Sequence, residues 1–125
     1  MNFLGIDYGT KHIGLAYSTS GIISTLPTIT NDTDKFVKIV NIVSQYHINK
    51  IYTGISEGGI AKKTQQFVQE LRTMIKLPVE TIEESVSTIE ATGIYIQNRQ
   101  PRKLYKQRVD SIAAAVILNR VISLT

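Results

Sequence analysis

Two hydrophobic periodicities alternate along the chain, and their order predicts its architecture. Phe3, Leu4 and Ile6 make a short apolar run closed by Asp7, which reads as a buried strand over residues 3–7. Gly9 and Thr10 supply a turn, residues 13–17 a second strand, and Ser20 and Gly21 another tight turn before a third strand over about 22–29. Two tight turns joining three strands predict an antiparallel meander. Asn31, Asp32, Thr33 and Asp34 then offer helix-capping side chains, and the period changes. Phe36, Val40 and Val43, with Ile39 and Tyr46 beside them, recur at helical spacing up to about His47.

The second half interleaves the two patterns. Residues 50–55 read as a strand and Glu57, Gly58 and Gly59 as a loop. A helix follows with Thr64, Phe67, Val68, Leu71 and Ile75 on one face, and residues 78–82 are short and β-branched like a strand. Ser87 and Glu90 match a capping box, which predicts a helix over 87–97. A cationic loop comes next, then a helix over 109–124 whose residues 113–118 are apolar nearly all round, as in a helix packed deep against a sheet. Strands separated by helices after a meander imply right-handed parallel crossovers onto one sheet. The expected fold is α/β, a mixed five-stranded sheet with three antiparallel and then parallel strands, flanked by helices.

Length confines this to a single domain, 1–125, and the 42% hydrophobic content suffices for one core. The chain has no cysteine, which excludes disulfide frameworks, thiolate catalysis and cysteine zinc sites; with two histidines, any metal would be held mostly by carboxylate oxygens, the ligand set of magnesium or manganese. No apolar run approaches the ~20 residues of a membrane span, and Asp7 interrupts the N-terminal apolar run before a signal-type core forms. A cytoplasmic protein without membrane partners is therefore expected. The net charge of +4 is small, but its distribution is uneven. Arg99, Arg102, Lys103, Lys106 and Arg108 put five of the 14 cations into ten residues, and no acid lies between Glu90 and Asp110.

Three acids fall where this order would make them costly unless used. Asp7 ends the first strand, Glu84 follows the fifth, and Asp110 lies in the first turn of the last, apolar helix. The first and fifth strands can lie close on opposite sides of the sheet's middle, and a helix packed across them would bring Asp110 near the other two. Singly, each acid has a structural use: Asp7 beside Gly9 suits a turn, Asp110 complements a helix dipole, and Glu84 suits solvent. Together, like charges at strand ends are relieved by divalent cations. Such a site can take two hard ions roughly 3.5–4 Å apart for phosphodiester hydrolysis. The cationic segment before Asp110 would hold the polyanionic substrate.

Three blocks carry a resemblance to a known family. They are Leu4-Gly5-Ile6-Asp7-Tyr8-Gly9-Thr10-Lys11-His12-Ile13-Gly14-Leu15-Ala16, Glu83-Glu84-Ser85-Val86-Ser87-Thr88-Ile89-Glu90-Ala91 and Val109-Asp110-Ser111-Ile112-Ala113-Ala114. In order and spacing they resemble the signature blocks of the YqgF (RuvX) family. The resemblance implies a ribonuclease H-like fold and a metal-dependent nuclease, Holliday-junction-resolvase-like or maturing the 5′ end of pre-16S ribosomal RNA. It implies Asp7, Glu84 and Asp110 as catalytic residues and ligands of Mg2+ or Mn2+. Lys11, His12, Arg99, Arg102, Lys103, Lys106 and Arg108 would contact nucleic acid, structured RNA or branched DNA. The family usually has Arg at His12 and Ser85, Asp at Glu83, and a Gly-x-Pro loop at Gly54-Ile55-Ser56. Two missing arginines weaken phosphate clamping, which keeps open a binding module that retains the fold without turnover. Asp7-Tyr8-Gly9-Thr10 also resembles the first phosphate loop of actin-like kinases, but 125 residues leave no room for their second domain. A homodimer would suit a four-way DNA substrate and a monomer an RNA end.

Overall fold

The computed structural model describes residues 1–55, 60–83 and 102–124, with side chains over 111–122 of the last segment. Its strands are β1 (Phe3–Asp7), β2 (His12–Thr19), β3 (Ile22–Thr30), β4 (Lys50–Ile55) and β5 (Val79–Glu83), and its helices α1 (Lys35–Gln45), α2 (Ile60–Met74) and α3 (Arg102–Leu124). The strands form one sheet in the order β3-β2-β1-β4-β5. The meander is antiparallel, from Phe3 opposite Ser18 to Asp7 opposite Gly14. β1 with β4, and β4 with β5, are parallel. Ser20 and Gly21 both take positive φ, 53° and 80°, the mirror-image turn whose twist matches a two-residue hairpin.

One irregularity bears on the site. Ile13 opposes Ile29 and Leu15 opposes Leu26, so Gly14 on β2 faces two residues of β3, Pro27 and Thr28. Proline cannot donate to a ladder, and a bulge is where a sheet tolerates it.

Side chains alternate across the sheet, and the two faces differ in size. Leu4, Ile6, Ile13, Leu15 and Ile51 point toward α1 and α2, where Phe36, Ile39, Phe67, Val68 and Leu71 complete the larger core. Gly5, Ala16 and Tyr52 lie under α3, against Ala114, Ile117, Leu118 and Val121. A Cβ on Gly5 would lie 2.7 Å from the Ala114 carbonyl oxygen and 2.8 Å from Leu118 Cγ. Glycine is thus required there by the closeness of the helix.

Four expectations are corrected. The last helix starts at Arg102, not 109, so the cationic segment is helical from that residue onward. Its Arg, Lys, Leu and Gln residues are good helix formers, and Pro101 immediately precedes the first of them. The first and fifth strands do not flank the middle closely: β1 is central, and β4 separates it from β5 at the edge. Val40 is exposed, and the buried stripe of α1 runs through Phe36 and Ile39, with Ile42, Val43 and Tyr46 partly buried. Asp34 occupies the N-cap without a side-chain bond; the Asp32 carboxylate accepts the Asp34 N–H at 3.0 Å, forming a turn ahead of the helix. The 57–59 loop and the 87–97 helix lie outside the described residues.

Candidate active site

The pleat decides which way Asp7 points. Phe3 and Gly5 lie on the α3 face, so Asp7, two residues further on, shares it. Its partners on that face are glycines on both sides, Gly14 of β2 and Gly54 of β4. These two strand partners carry no side chain, and Asp7 is half-buried.

The turn after Asp7 is held from both ends. Tyr8 packs on Phe67 with ring centroids 4.7 Å apart, and Phe67 stacks on Phe36 at 5.5 Å. A Cβ on Gly9 would collide with the His12 carbonyl oxygen, so the turn closes only with glycine. Asn31 fastens it to the end of β3: its side-chain amide donates to the Gly9 carbonyl at 2.9 Å, and its backbone N–H donates to the Lys11 carbonyl at 2.9 Å. Lys11 and His12 project from this turn, both exposed.

Ser111 sets the register of α3 on the sheet. It is fully buried, and its hydroxyl accepts the Leu15 N–H at 3.4 Å, beside the bulge that interrupts the β2–β3 ladder. Leu15 opposes Ile6, and one turn later Ala114 sits over Gly5. The helix therefore descends toward Asp7 as it is followed back from Ala114 to Ser111. Asp110 precedes Ser111 and lies one turn before Ala114, so its helical position belongs to the Asp7 end of β1. The side chains of Arg102, Lys103, Lys106, Arg108 and Asp110 lie outside the described part, as do Arg99 and Glu84 entirely.

Glu84 follows β5, whose Ile82 and Glu83 pair with Gly54 and Ile55. Gly54 is also the partner of Asp7, so β1, β4 and β5 finish at one edge of the sheet. Asp7 and the backbone position of Asp110 lie toward that edge, and β5 ends there. Among the described residues no group of three His, Asp or Glu forms a cation cage. The donor set at this edge is carboxylate oxygen, which fits a hard divalent ion. The sequence names Ser111, Asn31, Gly14 and Gly54 only within the family blocks, the capping segment and the loop after β4, without a role at this site. The signals were present: Ser111 is a polar residue in an apolar helix, and both glycines sit inside strand patterns, a mark of close approach or of space.

The match of the chain to known proteins agrees with this geometry. The sequence profile of RuvX, described as Holliday junction resolvase, matches residues 1–123. The chain belongs to the RuvX family. Its relatives include proteins named "Putative pre-16S rRNA nuclease" from Bacillus mycoides (strain KBAB4) and Bacillus cereus (strain B4264), each 34% identical over 130 residues, covering 94% of this chain and 95% of theirs. Among solved structures, the fold is similar to that of the fowlpox virus Holliday junction resolvase, with a TM-score of 0.63, 12% identity and full coverage of both chains. It is also similar to T. thermophilus RuvC in complex with a Holliday junction substrate, with a TM-score of 0.61, 14% identity and coverage of 97% and 96%. At those identities the likeness establishes the ribonuclease H-like fold. The family and its relatives make the chain a nuclease, a hydrolase of nucleic-acid phosphodiester bonds.

Proposed function

We propose that this nuclease processes the 5′ end of pre-16S ribosomal RNA, with Asp7, Glu84 and Asp110 holding Mg2+ or Mn2+ against the scissile phosphate. The observation that carries the reading is the edge where β1, β4 and β5 end together, with Asp7 between Gly14 and Gly54 and the buried Ser111 of α3 bonded to Leu15 beside it. The curated relatives' name supplies the RNA. A ribosomal RNA substrate makes the cytoplasm the place of action.

When bound, a divalent ion at such a site offsets charge on the phosphate and makes a nearby water more acidic. The chain's own residues perform the remaining tasks. The three carboxylates bind and space the ion. Gly14 and Gly54 put no side chain next to Asp7 on the sheet, while Asn31 and the Tyr8–Phe67 contact hold the turn that follows it. Lys11 and His12 at the turn, with Arg99, Arg102, Lys103, Lys106 and Arg108 before and within the first turns of α3, draw the backbone in by charge and hydrogen bonding.

The test is cleavage of a precursor RNA carrying the 5′ extension, alongside a four-way DNA junction, with magnesium or manganese. Trimming of the RNA that is lost in Asp7→Asn supports the proposal. Cleavage confined to the junction assigns the enzyme to branched DNA. Metal-independent binding of RNA, with no cleavage and unchanged by Asp7→Asn, identifies a module without turnover.

A further inference from the structure

A polar cleft lies on the other face of the sheet from Asp7. Its volume is about 440 Å3, and it runs between α2 and the β5 edge, lined by Lys62, Gln65, Gln66, Gln69, Arg72 and Thr81 over the apolar floor of Ile55 and Val68. No acid lines it. Glu70, the sole acid of α2, is not among its lining residues. Three carboxamides and two cations on one side of a helix are not needed by the core: Gln65, Gln66 and Gln69 are exposed, whereas Phe67, Val68 and Leu71 fill the buried stripe. Arg72 donates twice to the Val79 carbonyl, at 2.7 and 3.1 Å, which fixes one end of the wall. Thr53 adds an unsatisfied group nearby. It sits beside Thr81 on the same face, and its buried hydroxyl has no hydrogen-bond partner among the described residues.

The cleft begins where the candidate active site ends. Ile55, in its floor, follows Gly54, the β4 partner of Asp7. Lys62 lies in the first turn of α2, near the same edge, and Arg72 is ten residues further on, a span of about 15 Å. That length accommodates roughly four stacked nucleotides at ~3.4 Å each. A carboxamide differs from a cation in both donating and accepting. Along a nucleic-acid backbone it can donate to phosphate oxygen and accept from a ribose 2′-hydroxyl, the group that separates RNA from DNA.

We propose that the α2–β5 cleft holds the ribose-phosphate backbone of the RNA strand flanking the cleavage point, with Lys62 on phosphate and Gln65, Gln66 and Gln69 on phosphate and 2′-hydroxyl. This rests on the nuclease reading above and extends it from the cut to the strand beside it. The probe is a single-stranded RNA from the precursor's 5′ extension, next to its sequence-matched DNA. The Gln65→Glu/Gln69→Glu variant, whose substitutions are exposed and helix-compatible, should raise KM for RNA about tenfold with kcat held within twofold, and change DNA binding less. Lys62→Gln should reduce the slope of log K against log salt by about 0.7, the loss of one phosphate contact on a single strand. Gln45→Glu, on α1, adds the same charge away from the cleft and should leave KM unchanged. RNA binding by the unaltered protein that the double variant does not weaken overturns the cleft alone. Equal weakening on RNA and DNA overturns the ribose assignment. A protein that binds no RNA overturns this inference and the nuclease reading together.

Discussion

The two faces of the sheet are built to different scales. Toward α1 and α2 the strands present Leu4, Ile6, Ile13, Leu15 and Ile51, and two helices cover them. Toward α3 the strands present Gly5, Gly14, Ala16 and Gly54 along the middle, with Tyr52 beside them, and one helix approaches until its backbone nearly touches β1. Large side chains keep a helix at a distance and bury area, which stabilises the chain by about 25 cal/mol per Å2. Small ones contribute less area and bring backbone elements together. Both faces bury apolar residues, but only the second brings a helix backbone down onto the strand that ends in Asp7.

The sharpest way to break this division is at Asp7. Asp7→Asn keeps the volume and removes the charge, so cleavage should fall by about a thousandfold, roughly 4 kcal/mol of barrier, while the melting temperature stays the same or rises. A substitution that unfolds the protein would instead make Asp7 part of the scaffold. On the opposite face, Leu71→Ala should cost about 2–5 kcal/mol in denaturant unfolding, because the fully buried side chain leaves a cavity. The fraction that stays folded should keep its metal affinity. Gly5→Ala probes the small face directly. With 2.7 Å to a backbone oxygen, the helix has to shift, and a cost of about 1–3 kcal/mol should come with weakened Mn2+ binding in calorimetry. Stability lost without any change in metal binding would separate α3 from the site.

Ser111→Ala should do less to stability, about 1 kcal/mol, because one long hydrogen bond is removed. Its mark is a lower kcat with KM unchanged, since α3 keeps its packing while the position of Asp110 loosens. The smallest effect is expected far from the site. Lys50 has its pKa raised above 10.5, first by the hydrogen bond with Glu80, 2.9 Å away, and next by one with Tyr52. A raised cation stabilises the fold below its unfolded pKa and loses that contribution as pH climbs past the folded value. Glu80→Gln should lower the Lys50 value in an NMR titration and leave stability at neutral pH almost unchanged.

Strands and core were legible in the sequence because they rest on periodicity. The five strands and the helical face through Thr64, Phe67, Val68 and Leu71 follow from alternation and from 3.6-residue spacing. The edges of elements were less so. The start of α3 was hidden because charged residues read as solvated loop, although Arg, Lys and Leu favour a helix that continues into an apolar stretch. Val40 sits at core spacing but rotates out, since Phe36 and Ile39 already fill the contact with the sheet. Strand order could not be read, because the crossovers that place β4 between β1 and β5 leave no local mark. Asp7 was legible as an acid closing an apolar strand. Ser111 and the flanking glycines were not, for their importance comes from register, a long-range pairing of Asp7 with Gly14 and Gly54.

The central claim is that Asp7 and Asp110 meet at one hard-metal site across the small face. Diffraction from crystals soaked in manganese tests it most directly. An anomalous peak is expected about 2.2 Å from carboxylate oxygens of both residues, with Glu84 completing the ligand set. Asp7 and Asp110 carboxylates more than about 8 Å apart, with no manganese between them, would contradict it.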